Sequence, residues 1–266
     1  MTNRVIEKFE SLQRSGQKGF IAYIAAGDPS LDITRRLVIE FDRIGVDLVE
    51  LGIPFSDPLA DGVVNQRAAE RALKGGTTLR NVLETVRQIR KDSDIPIILF
   101  TYFNPVHYIG IEQFVAEASE SGVDGALVLD LPPEESNEYK TLMDMKDLCT
   151  VYLLSPTSTD DRVDLISRFS TGFIYYVSRE GVTGMQEKMA GGISSMVDKI
   201  RTRSGSPTAV GFGISTPELA AEVASYADAV VVGSAIVKKI EQEGNSPDVV
   251  EKVSQFTSEL VKAVKK

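Results

Sequence analysis

The sequence predicts an α/β fold: a single (β/α)8 barrel of the TIM type that occupies residues 1–266 as one domain, with an extra helix before the first strand. Eight short segments rich in valine, isoleucine and leucine are each followed by apolar residues at helical spacing. No linker divides the chain, and such barrels commonly run to about 250 residues. None of the segments alternates like an exposed edge strand, which favours a closed barrel over an open doubly wound sheet.

Taken in order, the elements begin with an amphipathic helix. Val5, Phe9 and Leu12 fall at helical spacing, so residues 3–15 are predicted to be helical and to end near Gly16. The predicted strands are 20–25, 46–51, 96–102, 125–129, 150–154, 173–177, 208–212 and 229–232. The predicted helices are 31–44, 66–91 with a break at 75–76, 111–121, 134–145, 160–169, 193–203, 217–225, 234–242 and 248–264.

A partial internal repeat supports the alternation of helices and strands. At residues 44–49, 121–126 and 226–230 a helix ends, the chain turns tightly, and a strand begins after an aspartate. Three occurrences of one helix–turn–strand pattern are typical of a barrel built from repeated βα units.

Composition and charge exclude several functional classes. The net charge is −9 and no basic stripe is present, which argues against a nucleic-acid partner. The single cysteine, Cys149, excludes an internal disulfide and fits a reducing compartment. The N-terminus is charged and no apolar run is long enough to span a membrane. We therefore expect a cytoplasmic protein with no membrane association.

Two carboxylates mark the most informative stretch. Glu50 lies at the carboxyl end of the apolar strand 46–51, and Asp61 follows eleven residues later in a loop with two prolines. The carboxyl ends of barrel strands are where such enzymes place their chemistry. Position alone leaves an alternative open for Glu50, which is an ion pair with a lysine or arginine from a neighbouring strand.

Two glycine-containing turns near the end of the chain predict a phosphate site. Residues 211–217 follow the seventh strand and residues 231–235 follow the eighth. Gly213 and Gly233 would let backbone N–H groups approach an anion at a helix N-terminus. Neither turn carries lysine or arginine, so backbone dipoles would hold the anion. The alternative is that these glycines only serve tight turns while Ser215 and Ser234 cap helices.

Two further features concern the same end of the barrel. The segment 178–192 has glycines at both ends and is predicted to be a lid over a substrate, with a surface insertion as the alternative. The loops after strands two, three and four are unusually apolar, which predicts a protein partner or an apolar substrate at this rim. Packing of these loops on one another is the alternative. The apolar residues are Pro54, Phe55, Pro58, Leu59, Phe103, Pro105, Val106, Tyr108, Leu131, Pro132 and Pro133.

Missing residue types narrow the chemistry further. His107 is the only histidine, which argues against a histidine-rich metal site and against a Ser-His-Asp triad. No strand ends in a lysine that could form a Schiff base, and no dinucleotide-binding fingerprint is present. Carboxylate acid/base catalysis on a phosphorylated molecule remains.

The stretch Glu-Leu-Gly-Ile-Pro-Phe-Ser-Asp-Pro-Leu-Ala-Asp-Gly at residues 50–62 closely resembles the signature of the tryptophan synthase α-subunit family. The resemblance continues in order through residues 27–29, 178–184, 211–215 and 233–237, and so covers nearly the whole chain. It implies a lyase that cleaves indole-3-glycerol phosphate to indole and glyceraldehyde 3-phosphate without a metal or organic cofactor. It also implies an α2β2 assembly with a β subunit that binds pyridoxal phosphate and receives the indole.

The resemblance also implies roles for individual residues. Glu50 matches the general acid/base, and Asp61 matches the carboxylate that contacts the indole N–H. Tyr23 stands beside the indole, where the family often has phenylalanine. Val63 replaces a proline that the family commonly has after Asp61-Gly62, which predicts a more mobile loop. The other positions implied to surround the substrate or its phosphate are Tyr175, Thr183, Gly184, Gly213, Gly233 and Ser234.

Two alternatives stay open from the sequence. One is another phosphate-binding barrel enzyme of tryptophan biosynthesis, but such an enzyme would be expected to have a lysine or cysteine at a strand end. The other is a noncatalytic barrel that serves as a scaffolding subunit. The presence of both Glu50 and Asp61 argues against it, because a scaffold does not need two desolvated carboxylates.

Overall fold

The computed structural model describes residues 3–178, 186–211 and 213–266. Within these ranges, nine parallel strand segments form one sheet in the order β5-β4-β3-β2-β1-β9-β8-β7-β6. Only two residues of the chain separate β5 from β6, so the sheet closes on itself and the predicted barrel is confirmed. The strands are β1 Gly19–Ala25, β2 Leu48–Gly52, β3 Ile97–Thr101, β4 Gly125–Val128, β5 Cys149–Thr150, β6 Leu153–Leu154, β7 Ile174–Val177, β8 Thr208–Gly211 and β9 Ala229–Val232.

The predicted fifth strand, 150–154, is divided into β5 and β6. β5 pairs with β4, where Gly125 lies opposite Cys149, and β6 pairs with β7, where Leu153 lies opposite Tyr175. Each half of the strand therefore forms its hydrogen bonds with a different neighbouring strand. The sequence does not reveal this division, because residues 149–154 contain no glycine, proline or charged residue that would mark a break in the strand.

The helices surround the sheet, and none that the structure describes is long and apolar enough to cross a membrane. In the described ranges they are α1 Arg4–Ser15, α2 Leu31–Arg43, α3 Val63–Lys74, α4 Leu79–Ile89, α5 Phe103–Ile109, α6 Ile111–Ser121, α7 Asn137–Met145, α8 Asp160–Phe169, α9 Gln186–Ser204, α10 Pro217–Tyr226, α11 Ser234–Glu243 and α12 Val249–Val264. A single 3-10 turn, Pro133–Glu135, precedes α7.

Two helices differ most from the sequence prediction. The residues after β3 form α5 rather than a loop, and Pro105 is tolerated there because it lies in the first turn, where its missing N–H is not needed. α9 begins at Gln186, seven residues before the predicted start at residue 193. Its first residues are good helix formers, and their propensity outweighs the cost of about 1 kcal/mol for each of two interior glycines.

The core has two layers. One lies between the sheet and the helices, and the other fills the barrel with residues such as Ile21, Leu48 and Ile98. The first helix closes the amino-terminal end of the barrel, since Val5, Phe9 and Leu12 join this inner cluster and the rings of Phe9 and Phe173 lie 5.4 Å apart. The opposite end, where the strands terminate, stays open.

The aspartates of the internal repeat tie neighbouring strands together at the amino-terminal end. Asp47 accepts a hydrogen bond from the backbone N–H of Phe20 at 2.8 Å. Asp124 accepts one from Ile97 at 2.8 Å, and Asp228 accepts one from Thr208 at 2.9 Å. Each aspartate precedes one strand and satisfies the N–H at the start of its neighbour, which explains why the pattern recurs. These three acids are structural, and they lie at the end of the barrel away from Glu50.

Candidate active site

One cavity of about 1160 Å³ lies at the carboxyl ends of the strands. It brings together seven of the nine residues predicted from the sequence. These are Tyr23, Glu50, Asp61, Tyr175, Gly213, Gly233 and Ser234. The other two, Thr183 and Gly184, lie outside the described residues.

Glu50 is the most unusual group in this cavity. It sits on β2 between register partners Tyr23 on β1 and Ile98 on β3, and its side chain has no exposed surface. Neither carboxylate oxygen has a hydrogen-bond partner among the described residues. Burial therefore raises the pKa of Glu50 to about 8. The alternative of an ion pair with a strand lysine or arginine finds no support in the described part of the chain, and the raised pKa suits a proton donor near neutral pH.

Asp61 lies across the cavity in the loop between β2 and α3. The hydroxyl of Tyr102 donates a hydrogen bond to Asp61 Oδ2 at 2.8 Å and accepts one from the N–H of Ala60 at 3.0 Å. Burial raises the pKa of Asp61, and hydrogen bonds from Tyr102 and the Asn65 side chain oppose this rise. Tyr102 was not singled out from the sequence, because only the fold brings the end of β3 against this loop.

Two tyrosines extend over glycines of neighbouring strands. A Cβ added to Gly52 would lie 2.5 Å from the Tyr23 hydroxyl, and one added to Gly211 would lie 2.3 Å from the Tyr175 hydroxyl. In both pairs the glycine lies opposite the residue two positions after the tyrosine. The absence of side chains at these glycines lets both phenol rings lie across the barrel mouth and form its inner wall.

The predicted phosphate site contains a helix N-terminus that lines the cavity. α11 begins at Ser234, and no side chain caps its first N–H groups. A Cβ on Gly233 would come 3.3 Å from Tyr23, a tight contact that glycine avoids. Gly213 adopts a positive φ of 46°, which favours glycine. The alternative that serines cap both helices is wrong, because Thr216 caps α10 and Ser234 lies inside α11.

The sequence did not indicate the remaining walls of the cavity. Phe100, Leu129 and Leu153 supply an apolar face large enough for a ring system. Residues 155–158, with the sequence Ser-Pro-Thr-Ser, follow β6 directly and add hydroxyl groups to the lining. The only signal for this turn was a cluster of small hydroxylated residues directly after a strand.

Two features predicted at this end of the barrel, the lid and the apolar rim, are only partly as predicted. Residues 179–185 of the predicted lid lie outside the described residues, and its last part belongs to α9. Within the apolar rim, Pro54, Val106, Leu131 and Pro133 are buried against the protein itself. By contrast, Leu59 is 93% exposed and Tyr108 is 87% exposed. Self-packing therefore accounts for part of the rim, and an exposed part remains.

The described residues of the cavity include no group that could hold a metal ion. Among the residues that the structure describes, no three histidine, cysteine, aspartate or glutamate side chains come together in such a cluster. His107 lies on α5 with its ring 5.7 Å from that of Phe103. Among the described residues, the titratable side chains that line the cavity besides Glu50 are Tyr23, Asp61, Arg162 and Tyr175.

Comparisons with known proteins identify the family. The family model described as "Tryptophan synthase alpha chain" matches residues 9–265. The tryptophan synthase alpha chain of Solibacter usitatus is 48% identical over 257 residues, which cover 97% of this chain and 96% of that protein. The alpha chain of Geotalea daltonii is 48% identical over 239 residues, 90% of each chain.

Solved structures give the same result. Tryptophan synthase subunit alpha from Legionella pneumophila superposes with a TM-score of 0.92 at 36% identity, and the match covers 99% of both chains. A chain of tryptophan synthase from M. tuberculosis superposes with a TM-score of 0.89 at 28% identity, covering 100% of both chains. The match in sequence and fold extends over nearly the full length, and this chain belongs to the tryptophan synthase alpha chain family of lyases.

Proposed function

We propose that this chain cleaves indole-3-glycerol phosphate to indole and glyceraldehyde 3-phosphate, with residues 1–266 acting as one catalytic domain. The observation that carries the proposal is Glu50, a fully buried carboxyl group without a partner in the described part of the chain. It faces a cavity that also holds a second carboxylate and an uncapped helix N-terminus. An acid, a cation-stabilising group and an anion site are what this substrate requires.

Glu50 is the general acid/base in this mechanism. With a pKa of about 8 it carries a proton at neutral pH and can give it to C3 of the indole ring. The resulting carboxylate then takes the proton of the glycerol hydroxyl beside the scissile bond. The O–H electron pair forms the aldehyde C=O bond, the C–C bond breaks, and its electron pair returns to the ring. Proton and electron counts balance, and Glu50 is protonated again at the end.

Asp61 stabilises the positive charge that protonation places on the ring nitrogen. The apolar side chains of Phe100, Leu129 and Leu153 fit the faces of a bicyclic ring and exclude water from it. Tyr102 holds Asp61 through the 2.8 Å hydrogen bond described above. Tyr23 lies beside the same ring, where its hydroxyl approaches β2.

The phosphate group binds at the first turn of α11. The first N–H groups of the helix and the turn at Gly213 supply donors, and the helix dipole adds a partial positive charge. Tyr175, Gly233 and Ser234 line this side of the cavity. We include Thr183 and Gly184 as substrate contacts from the sequence resemblance alone.

A β subunit is the proposed partner, in an α2β2 assembly within the cytoplasm. The exposed side chains of Leu59 and Tyr108, together with half-buried Phe55, Pro58 and Phe103, give it an apolar surface next to the Asp61 loop. Pyridoxal phosphate belongs to that partner, and the residues assigned here complete the cleavage without an organic cofactor. No nucleic acid or membrane enters the proposal.

The test is an assay of indole release from indole-3-glycerol phosphate, with and without a tryptophan synthase β subunit. We expect slow release by the isolated chain and acceleration of about 5–150-fold by the partner, the range of ordinary coupling free energies. Val63 begins α3, is 60% exposed and leaves the Asp61 loop without a proline restraint, so part of the population is inactive without a partner. Absence of indole under both conditions would refute the proposed reaction.

A further inference from the structure

Tyr23 occupies a position directly beside Glu50. The two residues are register partners on the adjacent parallel strands β1 and β2, so their side chains enter the barrel side by side. The Tyr23 ring is held by an edge contact with Phe100, with centroids 5.0 Å apart and planes at 71°. The ring is therefore fixed, and the position of its hydroxyl is determined by the packing.

The Tyr23 hydroxyl lies against β2, the strand that carries Glu50. Side chains two residues apart on a strand point to the same face, so Glu50 and Gly52 both face the barrel interior. The hydroxyl fills the space left by the missing side chain of Gly52, 2.5 Å from where its Cβ would be. It therefore sits one level above Glu50 in the direction of the cavity, where the carboxylate must turn to reach a substrate.

Glu50 needs a donor once it has lost its proton. A buried carboxylate without hydrogen bonds is costly, and the side chains below and beside it, Leu48 and Ile98, are apolar. The titratable groups that face it in the described structure are Tyr23, Tyr175 and Asp61. Asp61 repels a second negative charge. The Tyr175 hydroxyl lies over Gly211 on β8, which leaves Tyr23 as the donor next to β2.

We propose that Tyr23 is a positioning residue whose hydroxyl donates a hydrogen bond to the ionised Glu50 carboxylate and aims it at the substrate. The hydrogen bond is not formed in the present arrangement, in which Glu50 has no partner among the described residues. It forms when Glu50 ionises and its carboxylate turns towards the cavity. This inference rests on the proposed role of Glu50, and it adds a function for the Tyr23 hydroxyl beyond contact with the indole ring.

The test compares Tyr23→Phe with Tyr175→Phe. Each substitution removes one hydroxyl and keeps the ring. The side-chain carboxyl of Glu50 is titrated by 13C NMR on glutamate-labelled protein, and its signal is identified by its loss in Glu50→Gln. We expect Tyr23→Phe to raise the pKa of Glu50 by about 1 to 2 pH units, because hydrogen bonds to charged groups are among the strong ones. Tyr175→Phe is expected to raise it by less than half as much.

Kinetics and a second variant complete the experiment. In Tyr23→Phe, kcat for indole release should fall about 10- to 100-fold with KM little changed, since the hydrogen bond forms after substrate binds. Gly52→Ala, which displaces the hydroxyl without removing it, should raise the pKa of Glu50 in the same direction. An unchanged Glu50 titration in both Tyr23→Phe and Gly52→Ala overturns the inference. If wild type releases no indole, the proposed reaction is wrong. The titration then still shows whether Tyr23 donates a hydrogen bond to ionised Glu50.

Discussion

At the scale of single residues, Glu50 combines full burial with the lack of any hydrogen-bond partner in the described structure. Buried polar groups in proteins are nearly always hydrogen-bonded, so each exception calls for an explanation. The proposed mechanism supplies a chemical explanation, because desolvation raises the pKa of Glu50 to about 8, as a proton donor near neutral pH requires. The site therefore costs the protein stability, as functional sites often do.

This cost predicts how stability depends on pH. The pKa of Glu50 is about 8 in the folded protein against an ordinary value of 4.5, so the unfolded chain loses the proton first. Between these two values the folded state is progressively disfavoured, by up to about 5 kcal/mol above pH 8. Below pH 4 both states are protonated and the effect vanishes.

Glu50→Gln should remove this dependence. Urea unfolding of wild type and variant at pH 5 and pH 8.5 measures it, and Asp57→Asn, at an exposed position in the loop after β2, is the control. We expect the stability advantage of Glu50→Gln to grow by several kcal/mol between the two pH values. An advantage that stays constant with pH would mean that Glu50 titrates normally.

At the scale of elements, the N-terminus of α11 is the part of the site that carries no charged side chain. Ser234→Asp places a carboxylate at the first helical residue, where an acidic side chain is favourable for the helix itself. It should nevertheless remove phosphate binding by occupying and neutralising the first N–H groups.

The measurement is the affinity of indole-propanol phosphate relative to indole-propanol. We expect the preference for the phosphorylated compound to fall at least about 10-fold in Ser234→Asp, as expected for loss of a charge-assisted interaction. Ser225→Asp is the matched control, because Ser225 is exposed near the C-terminal end of α10 and does not line the cavity. Equal losses in both variants would show that net charge, rather than the helix terminus, determines the preference.

The aspartates of the repeat make a second prediction at this scale. Asp124 is almost fully buried and pairs with Arg90 at 2.7 Å and Arg4 at 2.9 Å, whereas Asp228 is a third exposed and lies 3.6 Å from Arg201. Asp124→Ala should destabilise the protein by about 3–5 kcal/mol and Asp228→Ala by about 1–2 kcal/mol. Chemical denaturation of both variants checks this order. Equal losses of stability in the two variants would contradict the larger contribution that we assign to the buried ion pairs of Asp124.

Most elements were predictable because their signals are local. Valine-rich strands, helical spacing and the turn before each aspartate predicted the barrel and its order. The split of strand five was not predictable, because it depends on which neighbouring strand each half pairs with. The short helix α5 was not predictable either, because Pro105 by local preference indicates a loop. The early start of α9 was missed because Gly191 and Gly192 are turn residues by local preference.

At the scale of the whole molecule, structure and chemistry occupy opposite ends of the barrel. α1, the three repeat aspartates and their basic partners close the amino-terminal end. Glu50, Asp61 and the N-terminus of α11 share the cavity at the other end. The positions of Glu50, Asp61 and the two glycine turns could be predicted because strand ends of a parallel barrel converge, whereas Tyr23 and Tyr175 came from the family resemblance. The contact of Tyr102 with Asp61 and that of Tyr23 with Gly52 could not be predicted, because the register between strands determines them.

The most direct test of the central claim is the rate of indole-3-glycerol phosphate cleavage by Glu50→Gln under saturating substrate and with the β subunit present. General acid/base groups contribute about 10²–10⁴-fold to rate, so a loss of at least about 100-fold is expected. Binding of indole-propanol phosphate should be retained, because the phosphate and ring contacts lie on other residues. Cleavage within about tenfold of wild type by a folded Glu50→Gln protein would contradict the assignment of Glu50 as the acid/base.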